Sequence, residues 1–304
     1  MRFFFYLILL SFIWVEFSLT TGNNYILCTS NCPSLTLPFH QASTLPNECQ
    51  DNDQAIFETA AVCVVEYQIN YRTQEISLNF KALNETDQFD VTQQNQLFLQ
   101  TVSSKFAAYE VDGPFLNRTF YCTMKNDCAR SFYLSTIENL VNEGHSKLEH
   151  IKTKLFNASV FMDYRSRRRC TDSHKTGNKT SVACPLGACH AHYVYDDSTE
   201  NIEEKHQNCH RETDSHLTSE LKYHLSSASS RQRESIDYRC NKNVCNRNDM
   251  IHIIKKIIDE YTNWNSSKQE MPEVQTKQLN SLSIRSMMSS SVLVLFLISF
   301  QFFI

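Results

Sequence analysis

The sequence predicts a mainly β protein with added helices, organised as two disulfide-rich modules that are each followed by an amphipathic helix. Three observations predict it: twelve cysteines behind a secretory leader, hydrophobic runs of period two, and a cysteine-closed pattern that occurs twice.

The leader is Met1 and Arg2 followed by the apolar run Phe3 to Val15, too short to span a bilayer, and then small residues at Thr20 and Gly22. Residues 1–22 read as a signal peptide, with the mature chain starting near Asn23. Val292 to Ile304 is a second short apolar run with no basic residue after it, whereas a stop-transfer helix needs about 20 apolar residues and cytoplasmic basic flanks. Residues 282–304 are therefore expected to be a signal for a glycosylphosphatidylinositol anchor, attached at Ser281 at the end of a polar stalk, 264–281. A short single-pass tail is the alternative.

Routing to an oxidising compartment makes six disulfides the expected state of the cysteines. With 41% hydrophobic residues the chain can bury a core, and its five glycines and six prolines exclude a collagen-like or low-complexity polymer. The net charge of −4, with basic residues dispersed apart from Arg165-Ser166-Arg167-Arg168-Arg169, gives no support to nucleic-acid binding.

That arginine run divides the chain. Residues 23–164 form the first module and its helix, 165–169 a basic linker, and 170–263 the second module and its helix. In the first, Val65, Tyr67, Ile69 and Tyr71 alternate with polar residues, as do Ile76, Leu78 and Phe80 after Arg72-Thr73-Gln74. This predicts a β-hairpin with one buried face. Each half then closes with a tyrosine, two cysteines around a short polar loop, and an arginine: Tyr121-Cys122 to Cys128-Ala129-Arg130, and Tyr238-Arg239-Cys240 to Cys245-Asn246-Arg247. Helical periodicity follows. Leu134, Ile137, Val141, Gly144, Leu148, Ile151 and Leu155 recur at threes and fours, as do Met250, Ile254, Ile257 and Tyr261, and both stripes are expected to pack on a sheet. Aligning the halves leaves two possibilities: Cys63 with Cys189, each four places before a tyrosine, or the equal gaps Cys49 to Cys63 and Cys170 to Cys184.

Cys240-x4-Cys245-Asn246 closing a β-rich, disulfide-laced module on an anchored protein resembles the lymphocyte-antigen and urokinase-receptor branch of the three-finger fold. Ile26-Leu27-Cys28-Thr29-Ser30-Asn31-Cys32-Pro33 is similar to the start of such a domain. The resemblance covers roughly Tyr25 to Cys128 and Cys170 to Asn246. It implies two three-finger-like modules with bridges Cys28 to Cys63, Cys32 to Cys49 and Cys122 to Cys128, then Cys170 to Cys189, Cys184 to Cys209 and Cys240 to Cys245. It also implies binding of an extracellular protein ligand or receptor through finger loops. The chain departs from the pattern in having fewer cysteines per module, in Ala129 where the family has asparagine, and in the trailing helices.

Seven histidines lie between His174 and His224, and His190 and His192 point to one side of a strand. With the nearby cysteines assigned to bridges, and no H-E-x-x-H, G-x-S-x-G or phosphate-cradling glycine loop in the sequence, no metal, cofactor or enzymatic activity is expected. Sequons stand at Asn84, Asn117, Asn157, Asn178 and Asn265. Arg165-Ser166-Arg167-Arg168 has the spacing of a proprotein-convertase site, with Arg168 the cleavage position. The expected protein is thus a glycoprotein on the outer leaflet of the plasma membrane, held by a lipid anchor. The alternatives are a convertase-processed precursor that releases a soluble secreted module and, behind it, a secreted hydrolase.

Overall fold

A computed structural model describes residues 25–49, 56–84, 96–106, 111–142, 153–155, 168–174, 181–196, 201–211, 215–225 and 230–262, all within a single unit. The protein is mainly β. The strands are β1 (Ile26–Thr29), β2 (Leu35–Pro38), β3 (Phe57–Ala60), β4 (Val62–Asn70), β5 (Glu75–Leu83), β6 (Gln96–Phe106) and β7 (Val111–Cys122). After helix α1 (Cys128–Asn142) come β8 (Arg169–Thr171), β9 (Ser181–Ala183), β10 (Ala188–Asp196), β11 (Asn201–His210), β12 (Ser215–Leu225) and β13 (Ser230–Cys240), then helix α2 (Asn248–Thr262).

The hairpin expected from alternation is β4 with β5, and its turn is fixed locally. Asn70 Oδ1 accepts hydrogen bonds from the amides of Arg72 (3.0 Å) and Thr73 (3.2 Å), and Gln74 takes a φ of 57°, which lets β5 start back along β4. At its start β4 departs from alternation, because Val62, Cys63, Val64 and Val65 are all buried. Such a run marks a strand covered on both faces.

Hairpins β4–β5 and β6–β7 join through β4 and β7; hairpins β10–β11 and β12–β13 join through β10 and β13. The two assemblies therefore have the same strand order. They share one sheet, β11-β10-β13-β12-β6-β7-β4-β5-β2, because β12 pairs antiparallel with β6 along eleven residue pairs from Ser215↔Phe106 to Leu225↔Gln96. The middle pair, Thr101↔Glu220, lies close to an approximate two-fold axis relating the halves. Two small ladders, β1 with β3 and β8 with β9, stand apart from the large sheet.

Both helices pack on one face of the sheet. On α1 the buried stripe is Ala129, Phe132, Tyr133, Thr136, Ile137 and Leu140. This is turned by about one residue from the expected stripe, leaving Leu134 and Val141 at its margin. The aromatic residues take the centre. Phe132 stacks on Phe120 at 4.1 Å and meets Phe98 edge-on at 5.6 Å, and the Tyr133 ring lies 5.3 Å from Tyr67. The remaining expected stripe positions Gly144, Leu148 and Ile151 lie outside the described residues, while Leu155 is buried.

On α2, Met250, Ile254, Ile257 and Tyr261 are buried as expected, joined by Ile251 and Ile258. This helix crosses the seam between halves. It begins where Asn248 Oδ1 accepts from Gln207 of β11, passes Glu234 of β13, which is paired with Lys255, and ends over the first half. There the fully buried Arg118 donates to the terminal carbonyl of Thr262 (2.8 Å) and to Gln100 Oε1 (2.8 Å), with its guanidinium 5.4 Å from the Phe98 centroid. A cation at a helix C-terminus complements the partial negative charge of the last carbonyls.

Candidate functional site: the cysteine knots and the histidine-lined face

The twelve cysteines form six bridges, Cys28–Cys63, Cys32–Cys49, Cys122–Cys128, Cys170–Cys189, Cys184–Cys209 and Cys240–Cys245, which are the pairs the resemblance implies. Cys28–Cys63 and Cys170–Cys189 are equivalent under the repeat, so Cys63 matches Cys189. The two short bridges close tight loops in which Asp127 and Val244 adopt positive φ (52° and 56°). The amide of Asp127 donates to Leu27 O, and that of Val244 to Arg169 O, each at 2.7 Å. The amides of Leu27 and Arg169 are in turn held by Asn126 Oδ1 (3.0 Å) and Asn243 Oδ1 (2.9 Å). Each C-terminal loop is thus stitched to the first strand of its own half.

One residue further along, the two knots differ. Asn246 is fully buried. Its Oδ1 accepts from the amide of Thr171 (2.8 Å), while its Nδ2 donates to the carbonyls of Thr171 (2.9 Å) and His190 (3.0 Å), so one side chain ties β8 to β10. In the first half Ala129 occupies the matching place and cannot do this. Asp127 substitutes from two residues upstream, accepting from the amide (3.2 Å) and hydroxyl (2.8 Å) of Thr29, the counterpart of Thr171. Burial raises the Asp127 carboxyl above its ordinary value, and the Thr29 hydrogen bonds oppose that rise. Sequence reading noted the missing asparagine but not its replacement. The signal was an acidic residue beside Cys128.

On the sheet face away from the helices, the second half gathers histidines around one carboxylate. Asp237 of β13 accepts from His190 Nε2 of β10 at 2.8 Å and from His216 Nε2 of β12 at 3.0 Å, with His192 Nδ1 3.5 Å away. His190 Nδ1 lies 3.2 Å from Asn208 Oδ1, and His216 Nδ1 accepts from Arg239 Nε. Burial works to raise the Asp237 pKa, but the hydrogen bonds and charges of His190 and His216 outweigh it and hold the carboxyl well below the usual carboxylate range. Each of these two imidazoles has its second nitrogen engaged by Asn208 or Arg239, not by a hydroxyl or thiol that it could activate. Among the described residues no group of three or more His, Cys, Asp or Glu side chains is disposed to hold a metal ion.

Alternation placed His190 and His192 on one face, and both reach Asp237 there. Asp237 and His216 arrive from strands remote in sequence and were not singled out. Of the sequons, Asn84 is exposed at the end of β5, and Asn117 stands in β7. Asn117 lines an open cleft of about 310 Å³ with Glu66, Gln68, Asn79 and Thr119. Asn157, Asn178, Asn265 and Ser281 lie outside the described residues, as do Arg165 and Arg167. Arg168 is half-buried: its carbonyl accepts from the Cys184 amide (2.7 Å) and its guanidinium donates to Gly187 O. Gly187 must be glycine, since a Cβ there would stand 1.9 Å from the His210 carbonyl oxygen. Among the described residues no helix is long and apolar enough to cross a membrane. No family model, curated protein or solved structure matches this chain.

Proposed function

We propose that this protein is an extracellular, non-enzymatic binding protein, built of two three-finger-like modules and held on the outer leaflet by a glycosylphosphatidylinositol anchor. The observation that carries the reading is the bridging of every cysteine, three bridges per half at equivalent places, which a reducing compartment would not sustain. In this reading β1 with β3, β4 with β5 and β6 with β7 are the fingers of the first module. Those of the second are β8 with β9, β10 with β11 and β12 with β13. A protein ligand or receptor would engage the finger tips, of which Arg72-Thr73-Gln74 is one, exposed at the end of the central hairpin of the first half. Treatment of intact cells with phospholipase specific for phosphatidylinositol is expected to release the protein into the medium. Retention on the cells, with the C-terminal peptide recovered by mass spectrometry, would overturn the anchor.

The second reading, a precursor cut after Arg168, rests on the basic run. Held by Cys184 and Gly187, Arg168 would have to leave its place to enter a protease cleft. The eleven-pair ladder between β6 and β12 would keep the two pieces together after the cut. Intact and non-reduced masses of the surface protein distinguish a single chain from a nicked one.

A further inference from the structure

One face of one sheet carries two unlike surfaces. Away from the helices the first half presents Gln68, Ser77, Asn79, Asn117 and Thr119, with the ion pair Glu66 to Lys81 (2.7 Å). The second half presents His190 and His192 from β10, Asp237 and Arg239 from β13, and His216 from β12. Strand alternation adds Asp196 on β10, Arg231 and Arg233 on β13, Glu220, Lys222 and His224 on β12, and His206 on β11. Register sets four basic residues and one asparagine in a line. Asn208, His190, Arg239, His216 and Lys105 occupy directly facing positions on β11, β10, β13, β12 and β6, a row about 19 Å long at the usual strand spacing.

We propose that this face is an acid-gated binding site for a linear sulfated glycan lying across the strands along that row. The site deepens the extracellular binding function proposed above and rests on it. Near neutral pH the carboxylates offset part of the fixed positive charge, since Arg231 is paired with Asp196 at 2.6 Å and Asp237 lies among the imidazoles. Each imidazole that takes up a proton adds a positive charge to this face. His216 is the gate. Its Nε2–H donates to Asp237 and its Nδ1 lone pair accepts from Arg239, so a proton on Nδ1 removes that acceptor and sets imidazolium against guanidinium. The Arg239 Nε–H that met His216 is then able to donate to an external anion, and a guanidinium suits a sulfate. The crowding of positive charge is already evident at His210, held below its ordinary pKa by burial and then by Arg239, His190 and His216, against Asp237.

The occupant is a soluble polyanion and not a membrane because, among the described residues, no large apolar side chain projects beside the row. The exposed ones among the described residues, Tyr25, Leu27, Met124, Leu186 and Ile253, lie on β1, in loops and on α2. Surface binding to a bilayer needs apolar residues alongside basic ones.

The test is heparin-affinity chromatography of the full chain in detergent, which does not depend on how the chain is anchored. Retention is expected at pH 5.5, with weak or no retention at pH 7.4, and the acid-bound fraction should elute with salt. The double variant His190→Gln/His216→Gln is expected to bind heparin about tenfold more weakly at pH 5.5, and His252→Gln, on an exposed helix position, to bind unchanged. Should the double variant melt early, Lys105→Gln, at the β6 position of the row, serves instead and is expected to weaken retention at pH 5.5. Equal retention at both pH values, or full binding by a folded double variant, overturns the proposal. Capture by phosphatidylserine vesicles at pH 5.5 without heparin binding also overturns it, assigning the face to a membrane. The phospholipase assay reads the anchor separately, so failure of one is not failure of the other.

Discussion

Exchanging the two clamp residues should have opposite consequences in the two halves. Asn246 both accepts, from the Thr171 amide, and donates, to the carbonyls of Thr171 and His190, in a place with no exposure to water. Asn246→Asp keeps the shape but replaces the donors with a second oxygen facing two carbonyls. Two hydrogen bonds at about 1 kcal/mol each are lost, and the polar groups left without partners add about 1–3 kcal/mol, for about 3–5 kcal/mol in all. For a domain of this size that is a fall in Tm on the order of 10 °C. Asp127→Asn should behave otherwise. Asp127 only accepts, from Thr29, and an amide oxygen serves as well. Its folded-state pKa lies above the unfolded value, so ionisation opposes folding at any pH above that range, and removing the charge relieves this cost. Against that stands the ion pair with Arg130 at 3.4 Å, so the net change should stay within about 1 kcal/mol. Urea denaturation of the two variants, followed by circular dichroism, measures both. Equal loss of stability in the two would refute the argument that donor capacity at position 246 is what matters.

Other consequences follow from the packing and the protonation chemistry. Phe132→Ala removes the ring stacked on Phe120 and meeting Phe98, and should cost about 3–5 kcal/mol in the same denaturation assay. His210 and His224 are both held below the ordinary histidine value, His224 by burial and then by Lys222 and Arg231. The unfolded chain therefore takes up these protons first, and stability should fall as pH drops from about 6.5 toward the folded-state values. Melting at pH 7.5 and 5.5 without polyanion reads this, and His210→Gln/His224→Gln should flatten the slope. Asp237, depressed in the fold, contributes stability that persists through this window and is lost only below about pH 4. Cys32→Ser/Cys49→Ser opens the bridge of sequence separation 17 and should cost about 3 kcal/mol, while alkylation of the unreduced wild type should label no thiol among the twelve cysteines.

Elements with a short-range signal were legible in the sequence. The alternation from Val65 to Phe80 specified the β4–β5 hairpin, and the stripe Met250, Ile254, Ile257, Tyr261 specified the buried face of α2. On α1 the periodicity was right and Ile137 is buried as expected, but the centre of the stripe is turned. Leu134 and Val141 fit the spacing, but Phe132 and Tyr133 take the centre because Phe120, Phe98 and Tyr67 offer rings that only an aromatic side chain fills. What depends on distant partners was hidden. Neither β6 nor β12 shows in its own residues that it pairs with the other half, and Asp237 becomes a histidine acceptor only once β10 and β12 flank it. The Asp127 clamp was missed because the repeat was read position by position. A function moved two residues upstream breaks the column while keeping the contact.

The continuity of the sheet has a physical reason in its edges. In each half the hairpin of β6 or β12 would leave an eleven-residue strand with an open row of backbone donors and acceptors, long enough to recruit another chain. Antiparallel pairing of β6 with β12 about the Thr101↔Glu220 midpoint satisfies both rows at once, which neither half can do alone. The outer edges are managed differently. β2 is four residues long and ends in Pro38, which has no amide hydrogen to donate, and β11 carries Glu203, Glu204, Lys205 and His206. Helix α2 then crosses the seam on one side, tied to β11 at Asn248 and to Arg118 at Thr262. The same seam sets Lys105 of β6 at the register position opposite His216, so the row spans positions of both halves. A ligand lying along that row would touch both halves, and its affinity would depend on the fused edge and not on either half by itself.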